Sequence, residues 1–200
     1  MTTAHDLTIV SLEVPSDYPV ERGDLSLALA GAELVDLLEA GAVALDGALL
    51  RPEPAERSGD RLLDAAASLV GKEPAESVED WLWRRGEGLA AEYLAAAGAE
   101  DGGRGRPRWT LRRTADRQPT VDPSARERAT GRWALGDPVL VGLAAAVGIR
   151  HEAAEQVGDP EDDETAVVLA AVHDAVVELA AIRQRRSIEE AAFDNIWRGM

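Results

Sequence analysis

Between residues 24 and 50 the apolar positions follow a helical period and then that of a short hairpin. Leu27, Gly31, Leu34 and Leu38 recur at 4-3-4 spacing, which puts them on one face of a helix. Glu33, Asp36 and Glu39 fall off that stripe, as in a half-buried amphipathic helix. Asp24 stands where an N-cap belongs, and Gly41 can take the left-handed conformation that ends a helix. Residues 43–50 then read as two short strands about Asp46-Gly47, a dipeptide that tolerates the positive φ angles of a type I′ turn.

On either side of this unit the pattern is mostly helical. Residues 3–14 carry two periods at once: Leu7, Ile9 and Leu12 suit a strand, whereas Leu7, Val10 and Val14 suit a helix behind a Thr cap. Residues 15–23 and 52–60 read as loops, and Asp60 caps a helix over 61–70 with Leu62, Ala66, Leu69 and Val70 on one stripe. Ser77 and Asp80 have capping-box spacing and open a helix over 78–85, followed by one over 89–97 that stops at Gly98. Residues 102–105 form a turn, and 108–114 alternate as one arm of a second hairpin. Asp122-Pro123 and Asp137-Pro138 each read as N-cap plus N1 proline, opening helices over 124–135 and 139–147. An acidic loop over 158–164 leads into a helix over 165–183, and Ser187 with Glu190 opens a last one over 187–197. The expectation is a mainly α, compact multi-helix domain over residues 1–200, with eight or nine helices and one or two short β-hairpins.

Composition narrows the chemistry. Apolar residues make up 46% of 200 residues, enough for a sizeable core, and there is no cysteine, hence no disulfide, thiolate metal site or cysteine nucleophile. No basic n-region precedes an apolar h-region, and no run of 18 apolar residues occurs, because His173, Asp174 and Glu178 interrupt the Ala/Val-rich stretch 166–182. A cytoplasmic location is expected. The net charge of −16 opposes nucleic acid as a partner. Lys72 is the sole lysine and alanine is abundant, a bias that reads as GC-rich bacterial coding rather than a choice of Arg for its geometry.

No catalytic or metal constellation stands out. His151-Glu152-Ala153-Ala154-Glu155 grazes a zinc-protease pattern, but Glu155 stands where the second imidazole is needed. His173, mid-helix in an apolar segment, reads as a partnered core or interface residue. The acidic run at 159–164 lacks the spaced oxygens and glycine of a calcium loop, and neither Gly-rich piece matches a phosphate loop. No cofactor is expected. Arginine placement is the unusual feature. Arg104, Arg106, Arg108, Arg112, Arg113 and Arg117 share a stretch with one acid, Asp116, giving a local charge of +5 while the remainder carries −21. Arg84 and Arg85 add a basic pair upstream. Arginines beside Trp109 and Leu111 suit a surface for phosphate groups, with bidentate hydrogen bonds from guanidinium and an indole at the interface. The alternative is that they pair with the chain's own surplus carboxylates or mediate self-association.

The order of motifs resembles the Golgi phosphoprotein 3 family. It is carried by residues 25–45, by Ser58-Gly59-Asp60-Arg61-Leu62-Leu63-Asp64-Ala65-Ala66, by Pro74-Ala75-Glu76-Ser77-Val78-Glu79-Asp80-Trp81-Leu82, by 89–98, and by the polar turn 114–123, strongest over residues 3–150. The resemblance implies that residues 3–12 are helical and that the role is non-enzymatic. It also implies a peripheral membrane adaptor that binds phosphatidylinositol 4-phosphate or another anionic lipid headgroup and engages tails of membrane enzymes. The family's headgroup site uses a Trp and an Arg near the start of the central helix and two arginines after the Val-x-x-Trp motif. Residues 19–23 hold no Trp, the first Arg position falls near Ala30, and of the later pair one matches Arg84 or Arg85 while the other falls near Glu87.

The expected headgroup residues are therefore Arg84, Arg85, Arg108, Arg112 and Arg113, with Trp109 and Leu111 contacting membrane or a neighbouring subunit. A homo-oligomer through the 108–120 hairpin and placement on the inner face of the membrane follow from the same reading. The alternative is a soluble protein–protein interaction module that has lost the lipid site. A helix-plus-wing DNA reader over 24–50 is disfavoured by Glu33, Asp36, Glu39 and Asp46.

Overall fold

A computed structural model describes residues 2–16, 18–72, 75–99, 121–152, 158, 160 and 162–198. Among these are eight helices and one two-stranded antiparallel hairpin: α1 (Thr3–Glu13), α2 (Arg22–Glu39), β1 (Val43–Asp46), β2 (Leu49–Pro52), α3 (Arg61–Ala67), α4 (Val78–Arg85), α5 (Leu89–Ala99), α6 (Pro123–Ala134), α7 (Pro138–Ala146) and α8 (Asp163–Arg198). The mainly α expectation holds, and residues 3–13 are helix rather than strand. The second hairpin expected over 108–120, and the turn over 102–105, lie outside the described residues.

The helix α2 is the axis. It packs against α1, α3, α4, α5, α7, α8 and β1, so it is covered on nearly every side. That overturns the half-buried reading of residues 24–50: Glu33 is fully buried and Asp36 nearly so, although both lie off the apolar stripe. Gly31 sits on the stripe because α8 passes there at close range. A Cβ on Gly31 would come within 2.3 Å of Val172 Cγ2. The helix begins earlier than Asp24, with Glu21 as N-cap and no side-chain cap bond. The Asp24 carboxylate is taken instead by Arg183 of α8, at 2.7 and 3.1 Å.

Local end signals elsewhere behave as their chemistry requires. Ser77 and Asp80 form the reciprocal capping box of α4, and Asp60, Asp122 and Asp137 cap α3, α6 and α7 through side-chain oxygens. The hairpin has Leu45 opposite Leu50 and Asp46 opposite Leu49, so Gly47 and Ala48 are the loop. Gly47 has φ +63 and Ala48 is not in the positive-φ region, the type II′ pattern rather than I′. Two backbone bonds fasten the hairpin to the start of α4, from Leu50 N–H to Glu76 O and from Val78 N–H to Ala48 O, both 2.9 Å.

Two further boundaries differ from the sequence reading. Gly98 does not stop α5, which runs to Ala99. The helix α8 is one piece of 36 residues, with no break before Ser187. Neither Pro nor Gly occurs between 163 and 198, so nothing interrupts the i→i−4 ladder, and Ser187 is carried inside it. By length and composition α8 is also apolar enough to cross a membrane, with mean hydropathy 1.8 in its best window, of which 28% is buried in the fold. Its core-facing residues are Val168, Val172, Ala175 and Val176.

Candidate functional site

Arg84 and Arg85, the described members of the expected headgroup set, both face carboxylates of their own chain. Arg84 makes a bidentate bond to Glu76 (2.6 and 2.9 Å) and lies 5.2 Å from the centre of the Trp81 ring. Glu76 sits in the loop before α4, its side chain 3% exposed, and its backbone oxygen holds the hairpin. Arg85 reaches across to α2 and grips Glu33 with two bonds of 2.7 and 2.8 Å. The Tyr93 hydroxyl of α5 donates to the same carboxylate at 2.9 Å.

Burial pushes the Glu33 carboxyl above its ordinary range, opposed by the Arg85 and Tyr93 hydrogen bonds and the Arg85 charge. Burial likewise drives the Tyr93 phenol up, with the Glu33 charge adding to it. For Arg85, burial alone would lower the pKa, but the Glu33 bonds and charge raise it, so the guanidinium stays charged. Against Tyr93 lies the His5 ring, edge-on at 5.2 Å, and His5 Nδ1 is 2.9 Å from Thr2 Oγ1 and 3.3 Å from Asp60 Oδ2. The chain is thus threaded by a polar line from Asp60 to Arg85 whose groups all have partners.

Asp36, one turn further along α2, accepts from the Thr3 and Ala4 N–H groups at 2.8 and 3.3 Å and so caps α1 from another helix. Burial raises its pKa to about 6 against those bonds. Asp6 of α1, also buried, holds Arg128 and Arg132 of α6 at 2.9 Å each, and Arg132 spans to Asp137. Arg84, Arg85, Arg126, Arg128, Arg132 and Arg183 therefore all pair with carboxylates of their own chain.

One cleft at the head of α2 does combine an indole with a cation that has no partner among the described residues. Arg22, Gly23, Ser26 and Leu27 come from α2, Trp83, Gly86, Glu87 and Gly88 from α4 and the turn after it, and Leu179 from α8, around about 390 Å³. Arg22 is exposed at the rim and Trp83 is half-buried. Two residues on from Trp81, whose Nε1 donates to Ala30 O in the core, Trp83 is rotated about 200° round α4 and faces outward to the cleft. That i, i+2 relation was the signal available for Trp83. Arg22 had none, being in a stretch that reads as loop.

The remaining expected site residues, Arg108, Arg112, Arg113, Trp109 and Leu111, lie outside the described residues, as do Arg104, Arg106 and Arg117 and the Glu155 of the zinc-like motif. His151 Nε2–H donates to Trp133 O (2.8 Å), and the ring packs edge-on against the Trp133 ring at 4.8 Å. His173 is exposed rather than a core residue. Among the described residues no group of three or more His, Asp or Glu side chains could hold a metal ion.

The family model described as Golgi phosphoprotein 3 (GPP34) matches residues 4–191, nearly the whole chain. The chain belongs to the Golgi phosphoprotein 3 family. No curated protein and no solved structure matches it. In this member of the Golgi phosphoprotein 3 family the cleft lies at the N-terminal end of α2, with Arg22 contributed by α2, Trp83 by α4 and Glu87 by the turn after α4.

Proposed function

We propose that this Golgi phosphoprotein 3 family member is a non-catalytic peripheral adaptor that engages anionic lipid headgroups on the inner face of a membrane. The observation that carries the reading is the cleft at the head of α2, where exposed Arg22 and half-buried Trp83 meet the N-terminal end of an 18-residue helix. A guanidinium, an indole and a helix N-terminus together suit a phosphate group at a lipid surface. The Arg-rich stretch at 104–117 gives the local positive charge that a chain of −16 needs to approach an anionic bilayer. The lipid can be a phosphoinositide such as phosphatidylinositol 4-phosphate or a bacterial lipid such as phosphatidylglycerol.

Flotation with phosphatidylcholine vesicles, alone or doped with phosphatidylinositol 4-phosphate or phosphatidylglycerol, tests this. Binding to one doped vesicle at low salt is expected, weakened by Arg22→Glu and abolished in Arg108/Arg112/Arg113→Glu. Equal binding by wild type and both variants would remove the site assignment, and no flotation at all would remove the lipid role.

A second reading, a soluble protein–protein module without a lipid site, is favoured by one observation. Arg84 and Arg85, the arginines nearest the family pattern, are each engaged by a carboxylate of their own chain, and Glu87 lines the cleft. In that case the 108–120 stretch would serve subunit contacts, and association through it would weaken with salt.

A further inference from the structure

The helix α8 carries apolar residues on two opposite faces, and the fold covers only one. Val168, Val172, Ala175 and Val176 face the core formed with α2, α4 and α7. On the far side, at alternating three- and four-residue steps, lie Val167, Ala170, Asp174, Val177, Ala181, Gln184 and Ile188. That spacing makes a continuous helical seam, and Val177 and Ile188 are 56% and 61% exposed. A helix with apolar residues all round is normally buried all round.

We propose that α8 is a dimerisation element: two copies of the chain pair antiparallel through this seam, each covering the other's exposed face. The lengths fit. Among the α8 side chains described, which end at Glu190, Arg183 is the last held by the body, through Asp24, and every residue from Gln184 to Glu190 is exposed. The part beyond it, 184–198, and the exposed face beside the body, 167–181, have the same length, about 22 Å of helix each. An antiparallel register that lays one on the other sets Val177 against Ile188 and Ala181 against Gln184 across the two-fold axis.

Charge selects the occupant. Asp174 lies in the seam and Glu178 beside it toward its start, Arg185 beside it toward its end, and none has a partner among the described residues; Arg186 falls on the opposite face. Glu178 and Arg185 are on the same flank, so reversal of one copy brings each Glu178 beside Arg185 of the second copy, an isologous arrangement. Glu189 and Glu190 lie farther round the helix. A bilayer would have to take Asp174 and Glu178 toward hydrocarbon, which a protein partner avoids. Asp174 and Gln184 interrupt the apolar seam at a cost in affinity, and such polar seam positions fix register.

Sedimentation equilibrium of the full chain tests the proposal. A monomer–dimer equilibrium is expected, and Val177→Glu or Ile188→Glu raises its dissociation constant by about tenfold or more, since each places a charge in a desolvated contact. Both positions are exposed in the single chain, and unchanged helical circular dichroism confirms that the variants fold. Glu178→Arg weakens the dimer, and Glu178→Arg with Arg185→Glu restores it. Because the chain has no cysteine, Val177→Cys/Ile188→Cys under oxidation yields a covalent dimer. A wild type that stays monomeric overturns the proposal, as does a dimer indifferent to Val177→Glu. Cross-linking by Val177→Cys alone as fast as by the pair overturns the antiparallel register. Loss of vesicle flotation in a monomeric Val177→Glu variant would assign the face to a membrane instead.

Discussion

Glu33 shows what a single buried charge demands. Its carboxylate has no exposure and depends on Arg85 and Tyr93 for every strong bond it makes. Arg85→Ala leaves that charge without its counter-ion, and a loss of about 3–5 kcal/mol in urea denaturation is expected. Glu33→Leu with Arg85→Met, which removes both charges, should cost far less than Arg85→Ala alone. Asp36 gives a pH prediction. With a pKa near 6 in the fold against an ordinary 3.8, the native state holds a proton there that the unfolded chain has released. Stability from this group is therefore greatest at low pH and declines as pH rises from about 4 to about 6, by roughly 3 kcal/mol in all. The stability difference between wild type and Asp36→Asn should shift in favour of Asn by most of that amount, about 2 kcal/mol, between pH 4 and pH 7, measured by denaturant melts at each pH. Ala75, at φ +55, is the non-glycine residue with positive φ among the described residues, and a Cβ there is strained. Ala75→Gly should stabilise by up to about 1 kcal/mol in the same assay.

Helices meet closely only where side chains permit it, and α2 meets α8 at Gly31. Gly31→Ala drives a methyl into Val172 Cγ2 and should cost about 1–3 kcal/mol, with Gly31→Ala/Val172→Ala recovering part of it in a double-mutant cycle. This scale also shows which parts of the fold were legible in the chain. Caps were, because Ser77 with Asp80, and the aspartates at 60, 122 and 137, act within three residues of themselves. The start of α2 was not, since Asp24 turns to Arg183, 159 residues away. The burial of Glu33 and Asp36 was not, because periodicity reports one face and α2 is enclosed on several. The split proposed within α8 failed for a converse reason: a capping-box pattern needs a chain break before it, and residues 183–187 offer none. Site residues suffered most. Arg84 and Arg85 look alike in sequence, yet one pairs 8 residues back and the other 52. Trp83 and Arg22 come together only because α4 and α2 cross.

The whole molecule carries a charge of −16 and ties many of its arginines to carboxylates, so its outward field is acidic. Any attraction to an anionic vesicle is local and should fade between low and physiological salt, where screening reaches about 8 Å. Vesicle binding by wild type is expected to fall steeply across that range, whereas an apolar α8 dimer should hold or strengthen; flotation and sedimentation at matched salt separate the two. The closeness of Gly31 to Val172 bears on how the chain is made as well. On a ribosome adding roughly 5–20 residues per second, α2 emerges about 140 residues, or on the order of 10–30 s, before the helix that must lie against it. For that interval the nascent chain presents the apolar flank of its own central helix with nothing to cover it. Synthesis of this protein therefore invites a holding chaperone at its first half, and a stall or nonsense codon anywhere before about residue 172 releases a polypeptide whose axis has no closing partner.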